Sequence, residues 1–171
     1  MGSHGTASGP RQGQNHGDSR RSLRLDATDS ARILACEDDD ALISVAAEIE
    51  ERRDTHRLCE PDSFRDALHR CLTDGEPAFG NGDFPLSHAV LGGVPLHKSG
   101  GYIVCHVTAG QVPAVAHALE PLDGEWLRER HATLTFDACQ GTADAEDIAY
   151  TQAFPPGLKQ FHGAAAREGQ Q

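Results

Sequence analysis

The sequence lacks any long apolar run. A membrane-spanning helix needs about 18 consecutive apolar residues, and no segment approaches that length. The N-terminal part also has no apolar stretch of the kind that a secretory signal requires. These absences argue against membrane insertion and export, and they favour a cytoplasmic location.

Basic residues are scarce as well. The chain has 15 Lys and Arg against 26 Asp and Glu, a formal net charge of −11. Binding to nucleic acid or to an anionic membrane depends on clustered Lys and Arg, so neither is expected as a partner. Residues 37–76 hold 13 acidic residues and five Arg, a net charge of −8. This segment predicts either a basic protein partner or simply the solvated faces of two helices.

Local pairs of metal-ligating or catalytic residues are absent too. The five cysteines are an odd number without a C-x-x-C pair, which is typical of reduced thiols. No histidines occur at i, i+3 or i, i+4 spacing on the predicted helices, so we expect no metal site and no cofactor. Cys105 and His106 are neighbours on a predicted strand, where successive side chains point to opposite faces and cannot activate each other.

The N-terminal segment predicts a disordered tail. Met1–Ser22 is rich in Gly, Ser, Gln and Arg, with almost nothing to bury against the cost of ordering the backbone. The remaining residues, 23–171, are the length of one domain with one hydrophobic core.

Apolar periodicity in the first half predicts a short strand and three helices. Leu23–Leu25 alternates like a strand, and Asp26 can cap a helix that runs through Ile33 and Leu34. A second helix follows three aspartates, which more readily cap it than bind Ca²⁺; its apolar face is Leu42, Val45, Ala46 and Ile49. A third ends at Gly75 and buries Phe64, Ala67, Leu68, Cys71 and Leu72.

The second half predicts a strand followed by two helices. Residues 102–107 are nearly all apolar or β-branched, which indicates a largely buried strand. Thr108 and Gln111 have the spacing of a capping box, and Pro121 ends the helix that they open. Asp123 can cap the next helix, with Leu122 and Leu127 as a hydrophobic staple. Together these elements predict an α+β fold, with several helices packed on a small sheet.

One segment stands out as a candidate ligand site. An apolar segment runs from Pro85 to Gly93 and ends at paired glycines. It is long enough for one or two turns of helix. Glycines let a backbone approach a ligand closely, and nearby Ser and His add polar contacts. The candidate ligand-binding residues are Ser87, His88, Gly92, Gly93 and His97. The alternative is that the glycines only end the short helix and form a turn.

Several motifs in order resemble a known family. They are D-A-L-H-R-C-L-T at Asp66–Thr73 with Gly75, P-L-S-H-A-V-L-G-G at Pro85–Gly93, T-x-x-Q at Thr108–Gln111, and Leu127-Arg128. Over Phe64–Leu134 the chain is similar to the YfbM-like family of small bacterial proteins of unknown function. The resemblance implies helices against a small sheet, and no activity. The chain departs from it by its polar start and by Pro155-Pro156 near its end, so the usual closing strand is expected to be missing.

Two functions follow from these observations. The first is a non-enzymatic binding or protein-interaction module, which the acidic segment favours. The second is an enzyme of undefined reaction with its site near residues 85–97, which a deep pocket with converging polar groups would favour.

Overall fold

Short helices and two small antiparallel sheets make up the computed structural model of the chain. It describes residues 22–52, 58–59, 65–76, 78–99, 102–134 and 155–169. Of the predicted tail Met1–Ser22, only Ser22 is among these residues. Phe64 and Cys139 lie outside them. The expectation of a missing closing strand stays a prediction.

Two helices and a strand pair form the N-terminal part. β1 (Ser22–Leu23) pairs antiparallel with β2 (Leu58–Cys59), so the predicted first strand is present but covers only the start of Leu23–Leu25. α1 (Ala27–Leu34) begins where the Asp26 carboxylate accepts a hydrogen bond of 2.8 Å from the Asp29 N–H. α2 (Asp39–Glu51) is capped in the same way by Asp38. Both predicted caps are confirmed.

The third helix and the turn after it also follow the prediction. α3 (Arg65–Leu72) buries Leu68, Cys71 and Leu72, and Gly75 has a φ of +94°, a left-handed conformation that favours glycine. A 3₁₀ helix, Leu86–Ala89, occupies the apolar segment. The pair Gly92 and Gly93 that the sequence marks follows this helix, in the turn that leads to the next strand.

A hairpin of β3 (Val94–Ser99) and β4 (Tyr102–His106) follows. The register pairs Val94 with His106 and shifts between Pro95 and His97, which leaves Leu96 as the extra residue of a bulge. The sequence predicts β4 but not β3. The prediction that β4 is largely buried is wrong: Ile103 is exposed, and the next three residues are only half-buried. A continuous apolar run is typical of strands that are covered on both faces, whereas here the exposed Ile103 shows that the face of β4 on which it lies is open.

Three helices follow in the described part of the chain: α4 (Val112–Leu119), α5 (Gly124–Ala132) and α6 (Pro155–Glu168). Before α4, the Gln111 side chain accepts from the Thr108 N–H at 3.0 Å, which is one half of the predicted capping box. Asp123 caps α5 as predicted, by accepting from the Trp126 N–H. Pro155 stands at the first position of α6, where a proline fits a helix well. The predicted α+β fold is therefore confirmed.

The buried apolar side chains form two clusters. The larger, here called the helical cluster, joins α3, the 3₁₀ helix, α4, α5 and α6. Its residues are Leu68, Cys71, Leu72, Ala89, Val115, Leu119, Leu122, Leu127 and Leu158. The smaller, the α1–α2 cluster, is Ile33, Leu42 and Ala46, with Leu96 and Val104 of the hairpin packed against it. None of the described helices combines the length and apolarity needed to cross a bilayer.

Candidate functional site

A cavity of about 990 Å³ lies between the two clusters. Its walls come from β1, α1, α2, the segment after the 3₁₀ helix, the hairpin and α6. Small-molecule sites have volumes of roughly 300 to 1,000 Å³, so this cavity is large enough for a ligand of drug or lipid size. It also borders the segment that the sequence marks as a candidate site.

Apolar side chains dominate the wall of this cavity. They include aliphatic residues of both clusters and of the hairpin, and two phenylalanines. The larger ones are Leu25, Ile33, Leu34, Ile49, Phe79, Val90, Leu91, Leu96, Ile103, Val104, Val107, Val112 and Phe161. Displacement of water from an apolar wall of this extent by an apolar ligand is favourable, and it would stabilise the bound state.

A hydrogen-bonded pair of uncharged polar side chains also lies on the wall. The Ser30 Oγ of α1 is 3.3 Å from the His106 Nε2 at the end of β4. His106 interrupts the apolar run of β4, and pairing with α1 gives its ring a polar partner. Partial burial lowers the pKa of His106 below its usual value of 6.5. The ring is therefore neutral near pH 7 and can accept a proton at one nitrogen.

Two further histidines, His162 and His88, line the wall, and each has a hydrogen-bond partner within the protein. His162 of α6 donates from Nε2 to the Ala89 carbonyl at 2.9 Å and so ties α6 to the 3₁₀ helix. His88 contacts the Ser87 hydroxyl through Nδ1 at 3.0 Å and the edge of Phe84 at a centroid distance of 5.1 Å. Burial lowers the pKa of both rings, and for His162 the bond to Ala89 partly opposes this effect. Both are neutral at pH 7.

Charged side chains on the wall interact with other protein groups. Arg24 lies 3.1 Å from Glu168 and has its guanidinium over the Phe161 ring. Asp26 caps α1, and Glu50 also has an interaction within the protein. The neutral Ser30 hydroxyl and the three imidazoles are therefore the polar groups best suited to a ligand.

The sequence-predicted site residues divide into two sets. His88 and Gly92 line the cavity, whereas Ser87, Gly93 and His97 are not among its lining residues. Ser87 is buried. His97 is buried beneath the start of α2, with its Nδ1 2.8 Å from the Asp39 Oδ1. The structure does not bring the five residues together, and a ligand role for each of them stays a prediction.

Close backbone packing explains both glycines. A Cβ at Gly92 would lie 2.4 Å from the Ser87 carbonyl oxygen, and one at Gly93 would lie 2.6 Å from that of His106. Gly93 also has a φ of +110°. The turn between the 3₁₀ helix and the hairpin therefore requires a glycine at both positions.

Several residues of the wall escape sequence reasoning. Ser30 is an unremarkable helix residue, and Phe161 and His162 lie far along the chain from the hairpin that faces them. His106 gives the one available signal, a polar residue inside an apolar strand. Within the part of the chain that the structure describes, no three His, Cys, Asp or Glu side chains are grouped to hold a metal ion.

Comparison with known proteins gives a family and no close relative. No curated protein and no solved structure matches the chain. The family model described as a domain of unknown function, DUF1877, matches residues 22–171. Its start coincides with Ser22, the first residue of β1. The chain therefore belongs to the DUF1877 family, whose domain takes up nearly all of its length.

Proposed function

We propose that this chain is a binding module that holds one largely apolar small molecule, with an uncharged hydrogen-bonding group, in the cavity between its two clusters. The cavity carries the proposal. A volume of about 990 Å³ with aliphatic and aromatic walls matches the usual form of a ligand site, in which apolar contacts supply affinity and a few polar groups fix orientation.

The polar groups of the wall favour an uncharged ligand group. The pKa values of His88, His106 and His162 are lowered by burial, so these rings carry no charge that would attract an anion. The one arginine on the wall is paired with Glu168. A carboxylate head would lose its hydration without gaining an unpaired cation, whereas a hydroxyl, amide or ester can use the neutral donors and acceptors.

A neutral fluorescent probe, N-phenyl-1-naphthylamine, tests the proposal. We expect saturable one-to-one binding with increased emission. Ala165→Phe places a ring on the α6 wall and should weaken binding about tenfold, the effect of losing ~1.4 kcal/mol of ligand contacts. Ala132→Phe on α5 is the matched control, since Ala132 is exposed and does not line the cavity.

Thermal unfolding of both variants first establishes that they are folded. Lack of saturable binding to the unmodified protein, or equal affinity for both variants, would contradict the proposal. A matched pair of decanol and decanoate as competitors then tests the neutral head: decanol should displace the probe at the lower concentration.

A basic protein partner is the second candidate. The observation that favours it is the row of exposed carboxylates along α2, such as Asp40 and Glu51. Other acids of the same helix have internal roles: Asp38 caps it, Asp39 contacts His97, and Glu48 pairs with Arg32 at 2.6 Å. This leaves fewer free carboxylates than the charge of the segment indicates. Salt-sensitive binding of polyarginine, weakened by Asp40→Asn with Glu51→Gln, is the expected result if α2 is an interface.

We also propose a family subgroup and a cellular location for the chain. The order of motifs between Phe64 and Leu134 supports a YfbM-like subgroup within the family. The composition and the scattered cysteines support a bacterial protein of the cytoplasm.

A further inference from the structure

We propose that Ser30 and His106 form a nucleophile and general base that cleave small apolar esters inside the cavity. The inference rests on the proposed function in so far as the substrate must enter the cavity, and it goes beyond it by assigning a reaction. The carrying observation is the 3.3 Å contact between Ser30 Oγ and His106 Nε2 on the cavity wall.

Two serines of the described chain contact a histidine ring, and only one of them is suited to chemistry. Ser87 Oγ lies 3.0 Å from the His88 Nδ1, but Ser87 is only 3% exposed and does not line the cavity. Ser30 is half-buried and does line it. A substrate in the cavity can therefore reach the Ser30 hydroxyl and not that of Ser87.

The Ser30–His106 pair also comes from two separate elements. Ser30 and His106 are 76 positions apart in the sequence, so their contact depends on the packing of α1 against β4. A nucleophile and base need this kind of arrangement, with the hydroxyl and the imidazole nitrogen within hydrogen-bond reach; distances somewhat above 3.2 Å are common before substrate binds. The lowered pKa of His106 keeps the acceptor nitrogen unprotonated at neutral pH.

The reaction follows from these positions. Ser30 Oγ attacks the carbonyl carbon of the ester while His106 Nε2 takes the hydroxyl proton. The C–O bond to the leaving group breaks as His106 returns that proton to the departing alkoxide oxygen. Water, deprotonated by His106, then attacks the acyl-Ser30 ester, and the proton returns to Ser30 Oγ as the carboxylic acid leaves. One ester and one water give one acid and one alcohol.

Within the described residues, the hydrogen bond of the His106 ring goes to Ser30, and no carboxylate contact to this ring is formed. Ser–His pairs depend on a third group for full activity: loss of the orienting carboxylate costs about 10⁴-fold in the best-known case. The expected turnover is therefore slow, and the acylated Ser30 accumulates.

A fluorophosphonate with an alkyl chain, followed by peptide mass spectrometry, is the direct test. We expect one label per chain, on Ser30. p-Nitrophenyl octanoate should be hydrolysed with an initial burst, with a rate that falls as pH drops through the lowered pKa of His106. Ser30→Ala and His106→Gln should each reduce both readouts by about 10²-fold or more, the usual contribution of a general base.

Ser44→Ala is the matched control, because Ser44 of α2 is exposed and does not line the cavity, so it should leave labelling and the burst unchanged. A label on any other residue, no label, or full hydrolysis by Ser30→Ala would overturn the inference. N-phenyl-1-naphthylamine binding separates the two proposals: a protein that binds the probe and takes no label refutes the chemistry alone, whereas one that does neither also refutes the binding function.

Discussion

Arg130 of α5 is predicted to stabilise the fold by closing the end of α3. Its Nε donates to the Cys71 carbonyl at 3.2 Å and its Nη2 to the Thr73 carbonyl at 2.6 Å. The last carbonyls of a helix have no partner inside the helix and carry a partial negative charge. A guanidinium that binds two of these carbonyls satisfies them as hydrogen-bond acceptors, and its positive charge interacts favourably with their partial negative charge.

The magnitude follows from these two bonds. A hydrogen bond to a charged group contributes about 1.5 to 3 kcal/mol, and the two share one side chain that must be ordered. For Arg130→Gln we expect the free energy of unfolding to fall by roughly 2 to 4 kcal/mol. For a chain of this size, each kcal/mol lowers the Tm by about 2 to 4 °C.

Urea unfolding followed by circular dichroism measures the effect, and Arg128→Gln is the control. Arg128 lies on the same helix but is exposed and pairs with Glu125 at 3.1 Å, an arrangement that contributes about 0 to 1 kcal/mol. A loss below about 0.5 kcal/mol for Arg130→Gln, the level of an ordinary surface change, would refute the reasoning. Equal losses for the two variants would do the same.

Four further predictions concern the core, the turn, the thiols and pH. Leu68→Ala should destabilise the protein by about 2 to 5 kcal/mol in urea unfolding, because Leu68 is only 3% exposed within the helical cluster. Gly92→Ala should cost about 1 to 3 kcal/mol through its clash with the Ser87 carbonyl, whereas Gly110→Ala, which meets nothing within 4 Å, should be tolerated; equal effects would show that the turn can relax. Burial raises the pKa of Cys71 to about 11, so a variant with Cys71 as its sole cysteine should react with Ellman's reagent at pH 8 only after unfolding. Burial lowers the pKa of His88, His106 and His162, so below about pH 6.5 the unfolded chain binds more protons than the folded chain. The free energy of unfolding should therefore be highest above that pH and fall as the pH drops towards the lowered pKa values. His162→Gln should reduce this fall.

Sequence reasoning succeeds where a signal is local. Asp26, Asp38 and Asp123 cap the helices that they precede, because a cap is formed within four residues of the chain. Leu42 and Ala46, like Leu68 and Leu72, are buried as helical spacing predicts. These features need no knowledge of the rest of the fold.

Signals that depend on distant segments are not visible in the sequence. β3 contains Pro95 and a bulge, which interrupt the alternation of apolar and polar residues that would identify a strand in the sequence. Its pairing with β4 becomes visible only in the folded structure. The burial of β4 depends on what covers its second face. The cavity is the clearest case: Ser30, His106 and His162 belong to three elements, and only folding brings them to one wall. His88 and Gly92 mark part of that wall and give no information on the rest.

The cavity between the helical cluster and the α1–α2 cluster has a consequence for how the protein opens. Side chains that face a large void have few partners across it, so the two clusters exchange little packing energy and can unfold as separate cooperative units. Amide hydrogen exchange should then show two levels of protection, with the lower one in α1 and α2, whose cluster has three buried residues against nine. A bound molecule in contact with both sides would bring the two levels together, and would stabilise both units according to its free concentration and affinity.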